Sequence, residues 1–260
     1  MDRSLMLRNT GLDVGTTGTR QVSVGLLWGP AREQDGEVPA RSTASVPSDL
    51  CTFRRVPLPP AGREVRRRVL REELSFSLPF SLDEAAWDWT DQGGQAWVVV
   101  APLERLGRLR REVGDTASLD AEPLTYLRAA LAAGVESALV IDLGASRTTF
   151  CGIQDGHLEW VRVMMRGGIN LTAQIASRTG MTHPDAERRK CERGMELSEC
   201  RQMLDEMLEE AFLPSPLPYQ KVLLCGGGAR MPGLTVHLGE KLGVQPELFP
   251  LPDSLSPYSH

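Results

Sequence analysis

Two segments, half a chain apart, carry the same short pattern. An apolar stretch ends in an aspartate, one residue and a glycine; small or hydroxyl residues follow, and then a second apolar stretch begins. The first is Leu12-Asp13-Val14-Gly15-Thr16-Thr17-Gly18-Thr19-Arg20, the second Val140-Ile141-Asp142-Leu143-Gly144-Ala145-Ser146-Arg147-Thr148-Thr149. Each reads as a strand, a tight turn and a returning strand. A unit repeated at this distance points to a duplicated half rather than to one continuous sheet. A third glycine run, Gly226-Gly227-Gly228, follows the apolar stretch Lys221–Cys225 and continues to Gly233.

The pattern suggests a chemistry. Glycine at a hairpin tip lets backbone N–H groups approach an anion, because no Cβ stands in the way. Thr16, Thr17 and Ser146 add hydroxyl donors. An aspartate at a strand end suits a hydrated Mg²⁺ that neutralises a polyphosphate. Two facing hairpins of this kind would clamp a nucleotide's phosphates. Each motif alone is an ordinary turn signal; the ordered set of three is the informative feature. The chain holds no GxxxxGK[ST], which excludes P-loop chemistry. Gly226–Gly233 is not GxGxxG and comes too late in the chain for a dinucleotide fold.

Between these motifs the periodicity alternates between strand and helix, so the chain is mixed α/β. Strands are expected from about Leu12 to Val14, over Arg20–Leu27 and Phe53–Leu58, and as buried apolar runs at Gln95–Ala101, Ser137–Leu143 and Lys221–Cys225. Thr148–Ile153 and Leu158–Met165 are expected to pair through Asp155-Gly156, a strong hairpin turn. Residues Trp28–Asp49, rich in Gly, Pro and Ser, read as a loop or weakly ordered strands. Helices are expected over Gly62–Ser75 (Val65, Val69, Leu70 and Leu74 inward), Gly167–Arg178 and Ser198–Phe212, from Thr182 onward, and around Leu234, Leu238 and Leu242. Asp120 reads as an N-cap before a helix whose Leu124, Leu127 and Leu131 share a face. The Arg-rich face of the helix beginning at Gly62 reads as a solvated surface, diluted by Glu64, Glu72 and Glu73.

Composition narrows the partners. The 260 residues carry a net charge of -5, which argues against a dedicated nucleic-acid binder. No apolar run reaches the roughly 18 residues of a membrane span, and the N-terminus lacks a signal-peptide core. The expected location is cytoplasmic, with any membrane association through a partner. The five scattered cysteines form no CxxC and read as reduced thiols.

The three glycine motifs resemble the phosphate 1, phosphate 2 and adenosine elements of the actin/Hsp70/sugar-kinase superfamily. Ala121-Glu122-Pro123-Leu124 resembles its connecting helix. Within it the chain is similar to the PilM family of type IV pilus inner-membrane platform proteins, relatives of the FtsA branch. The likeness rests on Arg55-Val56-Pro57-Leu58-Pro59, Leu78–Ala85, Arg166-Gly167-Gly168-Ile169-Asn170-Leu171-Thr172 and Ala186-Glu187-Arg188-Arg189-Lys190, in that order. The resemblance implies an actin-like, ribonuclease H-like duplicated α/β fold, with two domains around a nucleotide cleft and reduced inserted subdomains. The first domain would span 1–134 with an insert at about 50–115, the second 135–250 with a short helical insert at about 168–218, and 251–260 would be a tail.

The resemblance also assigns roles. ATP and Mg²⁺ would be held by Asp13, Gly15, Thr16 and Thr17, by Asp142, Gly144, Ala145 and Ser146, and by Gly226, Gly227 and Gly228. Asp13 and Asp142 would hold the metal through water. Glu187 and Lys190 would flank the ribose and base. Glu122 is the residue placed to position a hydrolytic water, giving at most a slow ATPase; its ordinary alternative is helix N-terminal charge. The implied partner is the N-terminal cytoplasmic peptide of a PilN-type bitopic inner-membrane protein, beside other platform proteins and the assembly ATPase. The peptide would dock in a groove between the first domain's core and its small inserted subdomain, the part containing Phe53–Ala101, where Trp87, Trp89 and Trp97 cluster. Trp97 reads slightly better as internal packing. The alternatives are a sugar kinase of the same superfamily and a type II secretion L-like cytoplasmic domain.

Overall fold

The computed structural model describes residues 8–15, 18–25, 32–33, 42–114, 118–212 and 219–249. The chain separates into two compact units. One holds the residues up to Thr125 apart from Gly15–Gly18; the other holds Gly15–Gly18 and Tyr126 onward. The division falls inside a helix, earlier than the boundary at 134 expected from sequence.

The first unit begins with strands β1 (Arg8–Gly15), β2 (Gly18–Gly25), β3 (Arg32–Glu33) and β4 (Ser42–Val46). After a single 3-10 turn at Ser48–Leu50 come β5 (Thr52–Pro57), helix α1 (Arg63–Ser77), β6 (Ala85–Asp91), β7 (Gln95–Pro102), α2 (Leu103–Val113), β8 (Ser118–Ala121) and the first turn of α3 (Glu122–Ala132), whose residues from Tyr126 belong to the second unit. One sheet runs β3-β2-β1-β4-β8, with β4 parallel to both β1 and β8. Leu12, Ala44 and Val46 bury one of its faces against Ala101 and against Leu106, Leu109 and Val113 of α2. β4 lies within the stretch read as loop or weak strands. Its sequence STASV is short and half polar, so only its place between two partners makes it a strand. Asp120 is not an N-cap: it lies in β8, where the backbone pairs with β4 opposite Ser45.

The insert is a three-stranded antiparallel sheet, β5-β7-β6, with α1 on one face. Leu70 and Leu74 of α1 reach Val56, Ala96, Val98 and Val100. Val65, expected inward, is 47 % exposed, because the helix stripe is narrower than its apolar residues suggest. Trp87 and Trp89 alternate with polar residues along β6 and pack at the edge of this core. Arg67 lies over Trp87 and Arg63 over Trp89, with guanidinium carbons 5.3 and 5.7 Å from the ring centroids. Trp97 is buried. The arginine face of α1 is thus partly engaged, and Arg66 and Arg71 pair with Asp91 and Asp83.

The second unit contains β9 (Ala138–Leu143), β10 (Thr148–Gln154), β11 (His157–Met164), α4 (Gly168–Thr179), α5 (His183–Arg193), α6 (Ser198–Phe212), β12 (Val222–Cys225), α7 (Leu234–Leu242) and β13 (Glu247–Leu248). Its sheet runs β11-β10-β9-β12-β13, antiparallel on the β10 side and parallel on the β12 side. Taken in chain order, the strands of both five-stranded sheets follow the same arrangement: third, second, first, fourth, fifth. The duplication suspected from the two aspartate–glycine motifs is therefore a duplication of topology. Asp155 at φ 51° and Gly156 at φ 74° make the tight turn between β10 and β11. One face of the sheet packs Leu139, Ile141, Leu143 and Phe150 against the α4, α5 and α6 helices and Leu234 and Leu238 of α7. Leu131 of α3, expected to share the inward face, is 40 % exposed, while Leu127 and Ala130 are buried.

Candidate functional site

The second glycine motif sits on the turn from β9 to β10, and its backbone geometry is closed. The Gly144 N–H donates to the Arg147 carbonyl at 2.9 Å, and a Cβ on Gly144 would lie 2.8 Å from that oxygen. Helix α4 begins directly against this loop. Gly168 N–H donates to Gly144 O at 3.0 Å and Ile169 N–H to Ala145 O at 2.8 Å. A Cβ on Gly167 would stand 2.6 Å from both the Gly144 and Ala145 carbonyls, so only glycine permits the contact. The Ala145 amide donates to no main-chain carbonyl among the described residues. The loop is thus a backbone cradle braced from behind by the N-terminus of α4, whose Gly168 and Ile169 amides are spent on the loop carbonyls.

The third motif closes the cradle from the side. Gly226, at φ 80° and ψ 169°, lets the chain leave β12 beside the end of β9. A Cβ there would overlap Asp142 Oδ1 and lie 2.6 Å from Leu143 O. Gly228 is equally constrained, since its Cβ would fall 2.9 Å from Leu143 Cβ. Gly227 faces open space. Two of the three glycines are therefore required by packing against β9. Of the three, Gly227 alone would carry a Cβ into open space. Sequence reasoning grouped all three; the distinction depends on which atoms lie opposite each Cα.

Asp142 is buried, 7 % exposed, and its Oδ2 accepts a hydrogen bond from Tyr126 Oη at 2.7 Å. The motif gave no sign of Tyr126, which sits on the helix read as a leucine stripe. Glu187 and Lys190, both on α5, come to the same region from below. Lys190 is buried and its Nζ donates to Gly168 O at 2.9 Å, Thr172 Oγ1 at 2.9 Å and Glu187 Oε2 at 2.7 Å. Thr172 Oγ1 also donates to Glu187 Oε2. Burial pushes the Glu187 carboxyl up, but the Lys190 and Thr172 hydrogen bonds outweigh it and hold the group below the ordinary carboxylate range. The pair thus links α5 to the first turn of α4, and through Gly168 to the glycine loop.

Beside the loop, Gly144, Gly167, Gly168, Met195 and Met231 line an apolar recess of about 30 Å³, smaller than a purine ring. A larger cavity of about 340 Å³ lies at the other end of β9, around Glu136, Ser137, Gln154 and Lys221, and touches none of the motif glycines.

The remaining candidates sit on other elements. Asp13 and Gly15 close β1, while Thr16 and Thr17 lie outside the described residues. Glu122 is buried in the first unit, where its Oε2 accepts from Ser48 N at 3.0 Å and Ser48 Oγ at 2.6 Å. These bonds tie α3 to the turn after β4. Nearby, burial first, then the Glu122 and Asp49 charges, pushes the Cys51 thiol up to about 12.

A metal at Asp142 would meet oxygen donors. Among the described residues no group of three or more His, Cys, Asp or Glu could hold a metal ion. One buried carboxylate beside a glycine loop would suit Mg²⁺ carried by a phosphate ligand, since Mg²⁺ keeps several waters and needs only one or two carboxylates.

The family profile described as type IV pilus assembly protein PilM matches residues 112–254, more than half of the chain. The chain belongs to the PilM family of type IV pilus assembly proteins. Among solved structures, the PilM-PilN type IV pilus biogenesis complex is similar over 95 % of this chain and 89 % of that chain, at 20 % identity and a TM-score of 0.78. A Bacteroides thetaiotaomicron protein with an actin-like ATPase fold matches over 95 % and 93 % of the two chains, at 9 % identity and a TM-score of 0.54. The cytoplasmic domain of EpsL, an inner membrane component of the Vibrio cholerae type II secretion system, matches over 84 % and 82 %, at 7 % identity and 0.51. No curated protein matches the sequence. At these identities the structural likenesses establish the actin-like fold. Among the described residues no helix is long and apolar enough to cross a membrane.

Proposed function

We propose that this PilM-family chain is a nucleotide-binding scaffold of a type IV pilus inner-membrane platform, and that it docks the N-terminal cytoplasmic peptide of a PilN-type membrane protein. The observation that carries the nucleotide part is the backbone cradle. Gly144, Gly167 and Gly226 each sit where a Cβ would strike a carbonyl oxygen of the loop or its flank. These contacts hold the Gly144–Arg147 turn rigid, and a rigid turn whose Ala145 amide has no main-chain acceptor among the described residues suits an anion. In this reading Ala145, Ser146 and Gly227 meet the nucleotide, and Asp142 takes part in holding Mg²⁺, joined by Asp13, Gly15, Thr16 and Thr17 from the other hairpin. Bound Mg²⁺ would neutralise phosphate charge. Glu187 and Lys190 flank the ribose side while bracing α4.

Hydrolysis, where it occurs, is slow. An in-line water needs a positioned polar group, and the Glu122 carboxylate is committed to Ser48. The partner part rests on the similarity to the PilM-PilN complex. The face of the β5-β7-β6 sheet opposite α1, with Phe53 and Val99 paired across it, offers half-buried apolar surface to an extended peptide. Trp87 and Trp89 are not the anchors expected, since Arg67 and Arg63 cover them.

The test is thermal unfolding with ATP and Mg²⁺, with a panel of sugars, and with the partner peptide. A ligand that binds the folded state alone raises the melting temperature. A rise with ATP–Mg²⁺ and with peptide, and none with sugars, supports the proposal. No response to ATP–Mg²⁺ refutes the nucleotide part, and a sugar-dependent response favours a kinase.

A further inference from the structure

Thr149 carries a hydroxyl that the fold buries and leaves without a partner. The residue is 0 % exposed and its Oγ1 makes no hydrogen bond. Buried hydroxyls are nearly always satisfied by protein or by ordered water, so an orphan here calls for a partner such as an ordered water. Its position is specific. Thr149 is the antiparallel cross-strand partner of Asp142. Directly opposed residues share a face, with Cβ atoms about 4.5–5.5 Å apart. The same carboxylate takes the Tyr126 hydroxyl on Oδ2, while the bare Cα of Gly226 leaves room for Oδ1.

We propose that Thr149 and Tyr126 are positioning residues for Asp142. Tyr126 fixes one carboxylate oxygen. Thr149 holds a water beside the carboxylate, and the two together orient Asp142 toward a hydrated divalent cation carried by a nucleotide. The inference rests on the nucleotide reading above and deepens it. A buried water needs two to four polar partners; the Thr149 hydroxyl and the Asp142 carboxylate, on facing residues of β10 and β9, supply two. Lone-pair direction supplies the selectivity. A carboxylate pinned through one oxygen presents the other in a fixed orientation, whereas an unpinned one must be ordered when the cation arrives. Neither residue stands out in the sequence. Thr149 reads as a β-branched strand former, and Tyr126 as one more apolar helix position.

The experiment uses the full chain and two readouts: melting of the ligand-free protein, and titration of a fluorescent methylanthraniloyl-ATP with and without Mg²⁺. The quantity of interest is the ratio of the Mg²⁺-free Kd to the Mg²⁺-loaded Kd. Thr149→Val keeps the shape and takes away only one partner of the bound water, so the ligand-free melting temperature stays near that of the wild type. The ratio falls about tenfold, the scale of one water-mediated hydrogen bond. Thr149→Ser keeps the wild-type ratio. Tyr126→Phe lowers the ratio similarly and lowers the melting temperature, because a buried carboxylate loses a donor. A wild-type ratio in Thr149→Val or in Tyr126→Phe overturns the inference while leaving nucleotide binding intact. A fall in melting temperature for Thr149→Val with an unchanged ratio makes its role structural and overturns it too. If the wild-type chain binds no nucleotide under either condition, the underlying reading fails and this inference with it.

Discussion

Substituting Gly226 by alanine separates backbone necessity from ligand contact. At φ 80° and ψ 169° the residue occupies a region that is nearly glycine-only, where another residue costs about 1–3 kcal/mol. A Cβ would overlap Asp142 Oδ1 and approach Leu143 O at 2.6 Å. Both neighbours belong to β9, the buried central strand, so neither moves freely, and such overpacking adds about 1–3 kcal/mol. Taking about 4 kcal/mol as the sum, the melting temperature of the unit should fall by roughly 8–16 °C. Gly227→Ala is the control. Its Cβ meets nothing within 4 Å, so its effect should stay within about 0.5 kcal/mol. The assay is differential scanning fluorimetry on both variants without ligand, followed by urea unfolding to confirm the sign. Equal melting temperatures for the two variants would refute the packing argument and with it the assignment of Gly226 to the wall of the cradle.

Other expectations follow from the same geometry. Gly227→Val should weaken nucleotide binding severalfold with little change in stability, measured by fluorescent-nucleotide titration; unchanged affinity would remove Gly227 from the ligand surface. Gly228→Val cannot serve this purpose, because its side chain would strike Leu143 and destabilise the fold regardless of ligand. Glu122→Ala should lower unfolding stability by about 1–3 kcal/mol by leaving the Ser48 amide and hydroxyl without their shared acceptor. Urea midpoints test this, and a variant as stable as wild type would return Glu122 to the catalytic candidates. Thiol labelling at pH 8 should reach exposed Cys191 well before Cys51, whose pKa of about 12 leaves almost no thiolate at that pH. Faster labelling of Cys51 in a peptide map would contradict the burial assigned to it.

The sequence by itself determined the elements with strong local codes. The helix over Ser198–Phe212 was legible to the residue, because its apolar positions recur every three to four residues. The Asp155-Gly156 turn, the helix start at Thr182 and the apolar run of β9 were legible for similar reasons: each depends on neighbours close in the chain. The paired aspartate–glycine motifs also disclosed the duplication, since both mark the same turn in sheets of the same strand order. Tertiary structure alone decided β4 and β8, which are short and half polar and become strands only by their places in the sheet, β4 between β1 and β8 and β8 beside β4. It also decided Asp120, held in a ladder where its local context suggested a cap. The site divides in the same way. Glycine identity and spacing announced a cradle, but which glycine faces a ligand depends on atoms far away in sequence. Gly226 needs Asp142, Glu122 needs Ser48, and Tyr126 and Thr149 acquire meaning only beside the same carboxylate. Local preference is written in residues three or four apart; the roles of buried polar atoms are set by partners that the fold supplies.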